Sequence, residues 1–343
     1  MFTPISFTPV RWLLVGLGMT ASLLMLRAEP AYDFFICANI NRNYVIGSTI
    51  VTTNGLFQRD HASQEWKHFG YNDTTLSAVA VDPHDSDTLY TTSLNGIWVS
   101  YDRGETWKMT NSWDMTEGRD VAVDPNAPHM VYLALPDGVA VSTDRGQTWE
   151  RREQGLPDRG KFTQSIAVDR IQKHRVLAGC EKGIFLTDNA GSTWRRVLPT
   201  STQVNDVQQS PHNPDHWLAV TDSHGAWQSH NGGETWISLA SLPSDHAIYN
   251  VTFDATDPQK VAIASWTYGV WTSEDGGETW TERNAGLPKN SRAWRVGVDP
   301  NTGRLYASIF QETLYHSDDF GRTWQPDALE GSLVNAFLAI PRL

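Results

Sequence analysis

Cysteine and basic residues are scarce in this chain, and it has no long hydrophobic run. Its two cysteines, Cys37 and Cys180, lie far apart in sequence, which does not indicate a disulfide framework. Lysine and arginine number 27 against 39 aspartates and glutamates, so the formal charge is −12. Phosphate binding needs clustered positive charge, and this balance therefore argues against DNA or RNA as a partner.

The longest apolar run lies near the start of the sequence. It extends from Trp12 to Leu26, has 15 residues and follows Arg11. A membrane-spanning helix needs about 20 apolar residues, whereas this length suits a secretory signal. Residues 1–28 are therefore predicted to be a signal peptide, and the protein is expected to be exported to a periplasm or the extracellular space. An uncleaved membrane anchor is the alternative. Residues 29–43 are interpreted as a lead-in segment.

The rest of the sequence is organised by an eight-residue box that recurs. Ser100 to Trp107 reads S-Y-D-R-G-E-T-W, and close copies end at Trp149, Trp194, Trp236, Trp280 and Trp324. An eroded copy ends at Trp66. Successive tryptophans are 41, 42, 45, 42, 44 and 44 residues apart. A period in this range marks an array of one supersecondary unit.

Each repeat contains four short β segments separated by turns, and a helical period never lasts more than two turns. Four antiparallel strands in about 40–45 residues are typical of a β-propeller blade. The first copy lacks an innermost strand, whereas Val334 to Pro341 aligns with Leu76 to Pro83. The sequence therefore predicts an all-β, seven-bladed propeller over 44–343, closed by the C-terminal strand joining the N-terminal blade. A linear solenoid is the alternative.

The box is interpreted as a structural device. An Asp or Asn at its third position can accept backbone N–H bonds and fold the turn, and the tryptophan can begin the fourth strand and bury its ring between sheets. Asn in two copies argues against a catalytic carboxylate. The predicted structural residues are Asp102, Asp144, Asn189, Asn231, Asp275 and Asp319, with Trp107, Trp149, Trp194, Trp236, Trp280 and Trp324.

These boxes resemble those of the Asp-box, or bacterial-neuraminidase-repeat, propellers, and the resemblance covers the chain after about residue 40. Such boxes are found in sialidases, two-propeller xyloglucanases, the sortilin receptor propeller and the photosystem II assembly-factor propeller. The resemblance thus implies a fold rather than a function. The sialidase signature Arg-Ile-Pro is absent, and there are repeats for only one propeller. The assembly factor is similar in plan, although its arginine patch is not evident here.

Residues that differ between repeats are the candidates for function. Where the innermost strands begin, two aligned columns of residues are expected to ring the mouth of the central channel, on the face opposite the boxes. The predicted binding mouth comprises Arg119, Asp120, Asp206, Tyr249, Trp294 and Arg295 from these columns, together with Trp266 from a neighbouring loop. Aromatic rings beside carboxylates and an arginine suit a sugar or a protein anchor, while a solvated channel with paired Asp and Arg is the alternative.

The sequence therefore favours an exported, monomeric, non-catalytic binding or assembly scaffold for a protein partner or a polysaccharide. The alternative is a glycoside hydrolase that uses carboxylates at the mouth, with Asp120 and Asp206 as candidates. Such a pair would need a carboxyl separation of about 5–9.5 Å. No cofactor or metal site is predicted. His212 and His216 have a metal-like spacing but no evident third ligand.

Overall fold

The protein is a ring of seven four-stranded antiparallel sheets, as the sequence predicts. The computed structural model describes residues 31–40 and 53–342. The predicted signal peptide lies outside these residues. The part of the chain that is described contains no helix able to span a membrane, and both of its cysteines are buried free thiols.

The strands are numbered in chain order. Blade 1 contains β1 (Tyr32–Asn39), β2 (Gly55–Asp60) and β3 (Glu65–Asn72). Blade 2 contains β4 (Ala78–Asp82), β5 (Asp85–Ser93), β6 (Gly96–Ser100) and β7 (Lys108–Met109). Blade 3 contains β8 (Asp120–Val123), β9 (Val131–Leu135), β10 (Gly138–Ser142) and β11 (Glu150–Arg151). Blade 4 contains β12 (Thr163–Val168), β13 (Val176–Cys180), β14 (Gly183–Thr187) and β15 (Arg195–Pro199).

The remaining blades follow the same order. Blade 5 contains β16 (Val204–Gln209), β17 (Trp217–Thr221), β18 (Ala226–Ser229) and β19 (Ile237–Ser238). Blade 6 contains β20 (Ile248–Phe253), β21 (Val261–Ser265), β22 (Gly269–Ser273) and β23 (Thr281–Glu282). Blade 7 contains β24 (Ala293–Asp299), β25 (Arg304–Ile309), β26 (Leu314–Ser317) and β27 (Gln325–Pro326). The last strand, β28 (Leu333–Pro341), returns to blade 1.

The ring closes where the two ends of the chain meet. Strand β28 pairs with β1 from Tyr32↔Pro341 to Asn39↔Leu333, and the blade 1 order is β28-β1-β2-β3. The predicted closure by the C-terminal strand is thus confirmed. Closure pairs an edge that would otherwise expose free N–H and C=O groups.

The predicted lead-in over 29–43 is wrong in one respect, because Tyr32–Asn39 is the second strand of blade 1. We expected the second, third and fourth strands of this blade between about Tyr44 and His68. The segment Tyr-Asp-Phe-Phe-Ile-Cys-Ala-Asn shows no alternation of polar and apolar residues, since six consecutive positions are buried. A strand covered on both faces lacks the period of two by which strands are usually recognised.

The hydrophobic core is distributed between the blades. Second and third strands are almost wholly buried because each sheet packs between two neighbours. In one such interface Tyr132 and Val141 of blade 3 pack against Val176 and Phe185 of blade 4, together with the box tryptophan Trp194. Core density of this kind requires that all seven wedges are filled.

The Asp-box is a hydrogen-bonded turn between the third and fourth strands. In blade 3 the Ser142 hydroxyl donates to Asp144 Oδ1 at 2.7 Å and accepts from the Gly146 N–H at 2.8 Å. Asp144 Oδ1 also accepts the Thr148 N–H at 2.8 Å, four residues on rather than the two or three that we expected. In all six close copies the tryptophan directly precedes the fourth strand and does not begin it.

Asparagine performs the same role in blade 4. Asn189 Oδ1 accepts the Thr193 N–H at 2.9 Å, and its amide group donates to Thr193 Oγ1 at 2.9 Å. Since an uncharged amide satisfies the turn, the acid group of the other copies is not required for its structure.

A β-bulge opens the innermost strand of most blades. The pairing of first and second strands skips one residue in five blades, and the skipped residues are Gln164, Asn205, Tyr249, Trp294 and Asn335. These residues belong to the first of the two columns aligned from the sequence. A bulge re-aims the side chain of its extra residue and is common at barrel rims.

In four blades, the residue of the second aligned column accepts an N–H from the next blade. Asp120 Oδ2 accepts the N–H of Ile166 at 2.9 Å, and Asp206 Oδ2 accepts the N–H of Val251 at 3.0 Å. Equivalent bonds join Ser165 to Val207 and Asn250 to Val296. We call Asp120, Ser165, Asp206 and Asn250 the brace residues, because they link blades 3 to 7 in succession.

We expect Asp144→Asn to leave the free energy of unfolding within about 0.5 kcal/mol of the wild type, because Asn189 shows that an amide satisfies the same turn. Asp144→Ala removes the acceptor of the Thr148 N–H and is expected to cost about 1 kcal/mol. Urea unfolding at neutral pH measures both values. Equal losses in the two variants would contradict the structural role of the box.

We expect Asp120→Asn to change the pH dependence of stability. Burial raises the pKa of Asp120 to about 7, so the folded state retains a proton that the unfolded state releases near pH 4. The free energy of unfolding of the wild type therefore falls as the pH rises from 4 to 7. The variant lacks this loss and should gain on the wild type across that interval by roughly 3 kcal/mol. Urea titrations at several pH values measure the difference.

Asp102→Asn is the matched control for this pH effect. Hydrogen bonds from Thr106 and Ser100 lower the pKa of Asp102. The stability that the Asp102 carboxylate contributes is therefore lost only in acid, as the pH falls through its lowered pKa. It should leave the slope between pH 5 and 7 unchanged. Identical pH profiles of Asp120→Asn and the wild type would show that Asp120 is not held protonated.

Candidate functional site

The predicted mouth residues divide into three groups around the channel. Arg119 lies on blade 3, where its guanidinium carbon is 5.0 Å from the centroid of the Phe162 ring and Nη2 donates to Glu117 at 3.0 Å. Asp120 and Asp206 are brace residues. Tyr249, Trp266, Trp294 and Arg295 come together on blades 6 and 7. The sequence predicted one face for all seven residues. In the structure only the last four of them are grouped in mutual contact.

The two candidate catalytic carboxylates are engaged by the blade interfaces. Asp206 accepts three hydrogen bonds: Gln208 Nε2 donates to Oδ1 at 2.9 Å, Ser165 Oγ donates to Oδ1 at 3.3 Å, and the Val251 N–H donates to Oδ2 at 3.0 Å. Asp120 accepts the N–H groups of Val121 and Ile166. Burial raises the pKa of both carboxyl groups.

Arg295 forms the third charged group of the channel wall. Its Nε donates to the Asn335 carbonyl at 3.1 Å and its Nη1 to the Trp294 carbonyl at 2.9 Å. Burial lowers its pKa, while the charges of Asp206 and Asp120 oppose that change. This arrangement fits the alternative of paired Asp and Arg charges in the channel. Because Asn335 lies in β28, the bond from Arg295 Nε to its carbonyl also connects blade 7 to the closing strand.

An aromatic cluster covers the mouth between blades 6 and 7. The Tyr249 ring lies 4.4 Å from that of Trp294 and 5.5 Å from that of Trp266, measured between centroids. Trp266 is in turn 5.1 Å from Phe310. All four rings are partly buried. Tyr249 and Trp294 are both bulge residues. A bulge re-aims the side chain of its extra residue, which accounts for the position of these two rings at the rim.

An arginine flanks each end of this cluster. The guanidinium carbon of Arg292 is 5.2 Å from the Trp266 centroid and 4.6 Å from the Phe310 centroid. At the other end Arg295 lies 4.4 Å from the Trp294 ring. These distances are within the range of cation–π attraction. We call Tyr249, Trp266, Arg292, Trp294 and Phe310 the aromatic mouth cluster.

Our sequence analysis missed Arg292 and Phe310. Phe310 directly follows β25, as Trp266 directly follows β21, so an alignment of second-strand ends would have paired them. Arg292 lies two residues before Trp294, outside the two columns considered. The signal was present in the spacing, but the residues that follow the second strands were not compared between repeats.

The main cavity does not lie at the mouth, and the described residues contain no group suited to a metal ion. A cavity of about 260 Å³ lies between blades 1 and 2, lined by residues that include Asp33, Arg103 and Arg342. Among the residues that the structure describes, no three His, Cys, Asp or Glu side chains are grouped to hold a metal ion. His212 contacts the Asp254 carbonyl at 2.9 Å, whereas His216 stacks on His230.

Two family models match parts of the chain. The model described as Sortilin, neurotensin receptor 3, matches residues 224–332, and the BNR/Asp-box repeat model matches residues 140–151. No curated protein sequence matches the chain. The two matches cover the second half of blade 5, blades 6 and 7, and one box of blade 3.

Solved structures of similar fold include GH74 enzymes and YCF48. The GH74 xyloglucanase from Xanthomonas campestris is 19% identical, with a TM-score of 0.62 over 74% of this chain and 45% of that chain. YCF48 from Cyanidioschyzon merolae is 16% identical, with a TM-score of 0.57 over 76% of this chain and 86% of that chain. A structure of YCF48 bound to D1 peptide is 17% identical, with a TM-score of 0.57 over 74% and 82% of the two chains.

This chain spans less than half the length of the xyloglucanase but most of YCF48. Identities below 20% show a shared fold and do not transfer an activity. The six close boxes, the matching repeat model and the ring of seven blades all agree. The chain is therefore a seven-bladed β-propeller with Asp-box repeats.

Proposed function

We propose that the protein is a non-catalytic binding or assembly scaffold, and that its aromatic mouth cluster takes an extended segment of a protein partner. The observation that carries this proposal is the state of Arg292. Its guanidinium is stacked on two rings, yet its one side-chain hydrogen bond within the described residues is a long one, 3.5 Å to Gln311 Oε1. Most of its N–H donors therefore face solvent in a fixed plane.

The chemistry of the cluster selects the partner. A guanidinium whose faces are stacked offers its N–H edge to a carboxylate in a two-bond geometry. The rings of Trp266 and Tyr249 offer apolar surface of the kind that anchors protein interfaces. A peptide segment with an acidic residue beside an apolar or aromatic one satisfies both. Stacking also lowers the conformational entropy that Arg292 loses on binding.

The positions of Asp120 and Asp206 support a non-catalytic role. Both carboxyl groups accept backbone N–H bonds from the next blade. A general acid or nucleophile must reach a substrate atom within hydrogen-bond distance. Carboxyl oxygens that are committed to holding blades together are poorly placed to do so.

Similar structures support a scaffold as well. The YCF48 structure with a D1 peptide is a propeller of comparable extent that binds a peptide. The N-terminal apolar run after Arg11 supports export of the scaffold. A role in assembling a larger complex, of the kind that resemblance to the photosystem II assembly factor implies, is the specific form of this proposal.

A glycoside hydrolase is the second candidate, and one observation favours it. Burial raises the pKa of Asp120 to about 7, a value suited to a general acid at neutral pH. Rings such as Trp266 and Trp294 also stack well on sugars. The xyloglucanase of similar fold gives this candidate its substrate class, a polysaccharide.

The binding proposal predicts a loss of peptide affinity on mutation of the mouth. Peptides are selected from a displayed library of random 12-residue sequences, and the affinity of each is measured by fluorescence anisotropy. We expect Trp266→Ala and Arg292→Gln each to weaken binding at least about tenfold, because each removes an anchor. Selected peptides should be enriched in acidic residues next to apolar ones.

Ile237→Ala is the control, since Ile237 is 62% exposed on β19, the outermost strand of blade 5, whereas the cluster lies at the innermost strands and adjoining loops of blades 6 and 7. It should bind as the wild type does. Selected peptides that bind Trp266→Ala and Arg292→Gln undiminished would contradict the location of the site.

The two candidate functions are separated by incubating the protein with a panel of polysaccharides and sialosides. We expect no release of sugar from any of them. Release that disappears in Asp120→Asn or Asp206→Asn would overturn the scaffold proposal and establish the hydrolase. Glycan binding without release, if lost in Trp266→Ala, would replace the peptide by a polysaccharide as the partner.

A further inference from the structure

In blades 4 and 7 an ion pair lies at the start of the Asp-box. The second residue of each of these two boxes is an aspartate, and the pairing of the second and third strands sets an arginine opposite it. Arg175 Nη1 donates to Asp188 Oδ1 at 2.8 Å, and Arg304 Nε donates to Asp318 Oδ1 at 2.7 Å. Opposite charges that face each other on neighbouring strands stabilise a sheet.

In blade 5 two histidines stand in place of this ion pair. Trp217 pairs with Ser229, the first residue of the box, so His216 lies opposite His230. The two rings are stacked, with centroids 5.1 Å apart and an angle of 21° between their planes. Neutral rings pack well in this arrangement, whereas two protonated rings would set like charges opposite each other, which destabilises a sheet. We call these two residues the histidine pair.

The inner ring of the pair is enclosed at the joint between blades 5 and 6. The side chain of His216 is 9% exposed, and its ring meets the Phe253 ring of blade 6 edge-on, with centroids 5.5 Å apart. Gly277 of the blade 6 box also adjoins the ring. In the part of the chain that the structure describes, His216 Nε2 is buried without a hydrogen-bond partner. A ring protonated on both nitrogens would therefore have a buried N–H group and a positive charge that no acceptor stabilises.

Four carboxylates lie on the segments that pack around the histidine pair, namely Asp215 and Glu234 of blade 5 and Asp254 and Glu278 of blade 6. Glu278 Oε1 is 4.0 Å from His230 Nε2, on the outer ring. Glu234 is bound to two arginines of blade 4, and Asp254 accepts N–H groups of its own turn. The other titratable group of the turn before His216 is His212, whose Nε2 is 2.9 Å from the Asp254 carbonyl.

None of these carboxylates offsets the effect of burial on the inner ring. Burial, and after it the charge of His230, lower the pKa of His216 to about 4, whereas an ordinary histidine has a pKa of about 6.5. Between about pH 6.5 and pH 4 the unfolded or locally opened chain therefore holds a proton at His216 that the closed joint excludes. The stability that the neutral ring contributes is fully present above this interval and is lost as the pH falls through it. Arginine at the equivalent position of blades 4 and 7 stays protonated throughout.

We propose that the histidine pair makes the joint between blades 5 and 6 an acid-sensitive contact. At neutral pH the stacked rings hold the joint closed. In mild acid, protonation of the pair sets like charges against each other beside Phe253, and the joint opens locally while the blades elsewhere in the ring remain closed. The pair is thus a pH switch built into one sector of the ring.

Local opening is measured by amide hydrogen exchange of the full chain at pH 7.5 and pH 5.0, with each rate divided by the intrinsic rate at that pH. Going to pH 5.0 should lower the protection of β17 and β20, which flank the pair, at least about tenfold relative to β9, because one unit of pKa corresponds to a tenfold change. Strand β9 is the internal reference, since it lies in blade 3, whose box has Thr143 at the second position.

Three variants locate the effect at the pair. His216→Gln keeps a polar side chain that does not titrate, so the protection of β17 should agree at the two pH values to within about twofold. His216→Arg combined with His230→Asp introduces the ion pair of blades 4 and 7 and should also remove the acid response. His230→Gln changes a half-exposed position, removes only the like charge, and should reduce the response by a smaller factor.

Thermal unfolding gives an independent measure. The wild type combines the response of His216 with that of Asp120, which acts in the opposite direction over the same interval because the folded state retains the Asp120 proton. The comparison is therefore made in the Asp120→Asn background. There the fall in melting temperature from pH 7 to pH 5 should be larger by at least about 2 °C with His216 than with His216→Gln.

Three results would overturn the proposal. The first is an equal loss of protection in β17 and β9 on acidification, which would mean that the opening is not local. The second is an undiminished acid response in both His216→Gln and the ion-pair variant, which would place the sensitive group elsewhere. The third is a melting temperature in the Asp120→Asn background that falls equally with and without His216.

Discussion

The structure depends on how the innermost strands hold one another around the channel. A bulge near the start of these strands leaves a backbone N–H directed at the neighbouring blade, and a polar side chain of the blade before it accepts that N–H. Asp120, Ser165, Asp206 and Asn250 do so in succession. Arg295 continues the series by donating to Asn335 O, Asn335 by donating to Leu76 O, and Ser77 by donating to Gly118 O. Every joint is thus bridged by a side chain, although the residue type changes, because what is required is a hydrogen-bonding atom at that position rather than a charge.

This requirement explains why polarity at the channel is a poor guide to function. A buried carboxylate beside a channel looks like a catalytic group in the sequence, yet here it replaces a backbone acceptor. The aromatic mouth cluster differs, because its four rings and Arg292 are grouped in blades 6 and 7 alone, although Trp294 Nε1 also donates to Asn335 Oδ1 at 3.2 Å. Residues that satisfy a need common to all blades are structural, and residues present in one sector alone are free to be selected for a ligand.

The fold was predictable because its signals are local and repeated. Box spacing determined the number of blades, and the C-terminal strand determined the closure. Strand β1 was not predictable, since burial on both faces removed its alternation. At the site, the two columns were aligned correctly, but Asp120 and Asp206 were weighed as possible catalysts because a sequence does not show which backbone N–H a bulge exposes. Arg292 and Phe310 were missed because their contacts join two loops that are 18 residues apart.

Closure by the two chain ends has a consequence for how the molecule is made. Strand β1 is among the first segments of the described chain to be synthesised, whereas its partner β28 is the last. Blades 2 to 7 can form from contacts within about 45 residues, but blade 1 must await a pairing across roughly 300 residues. Loop closure of this length is entropically costly and slow. Until β28 has been synthesised, the apolar edge of Phe34, Phe35 and Ile36 has no inner neighbour. Before β28 pairs with β1, the ring of the newly made chain is open and exposes an apolar strand edge. Such an edge favours aggregation unless another molecule covers it.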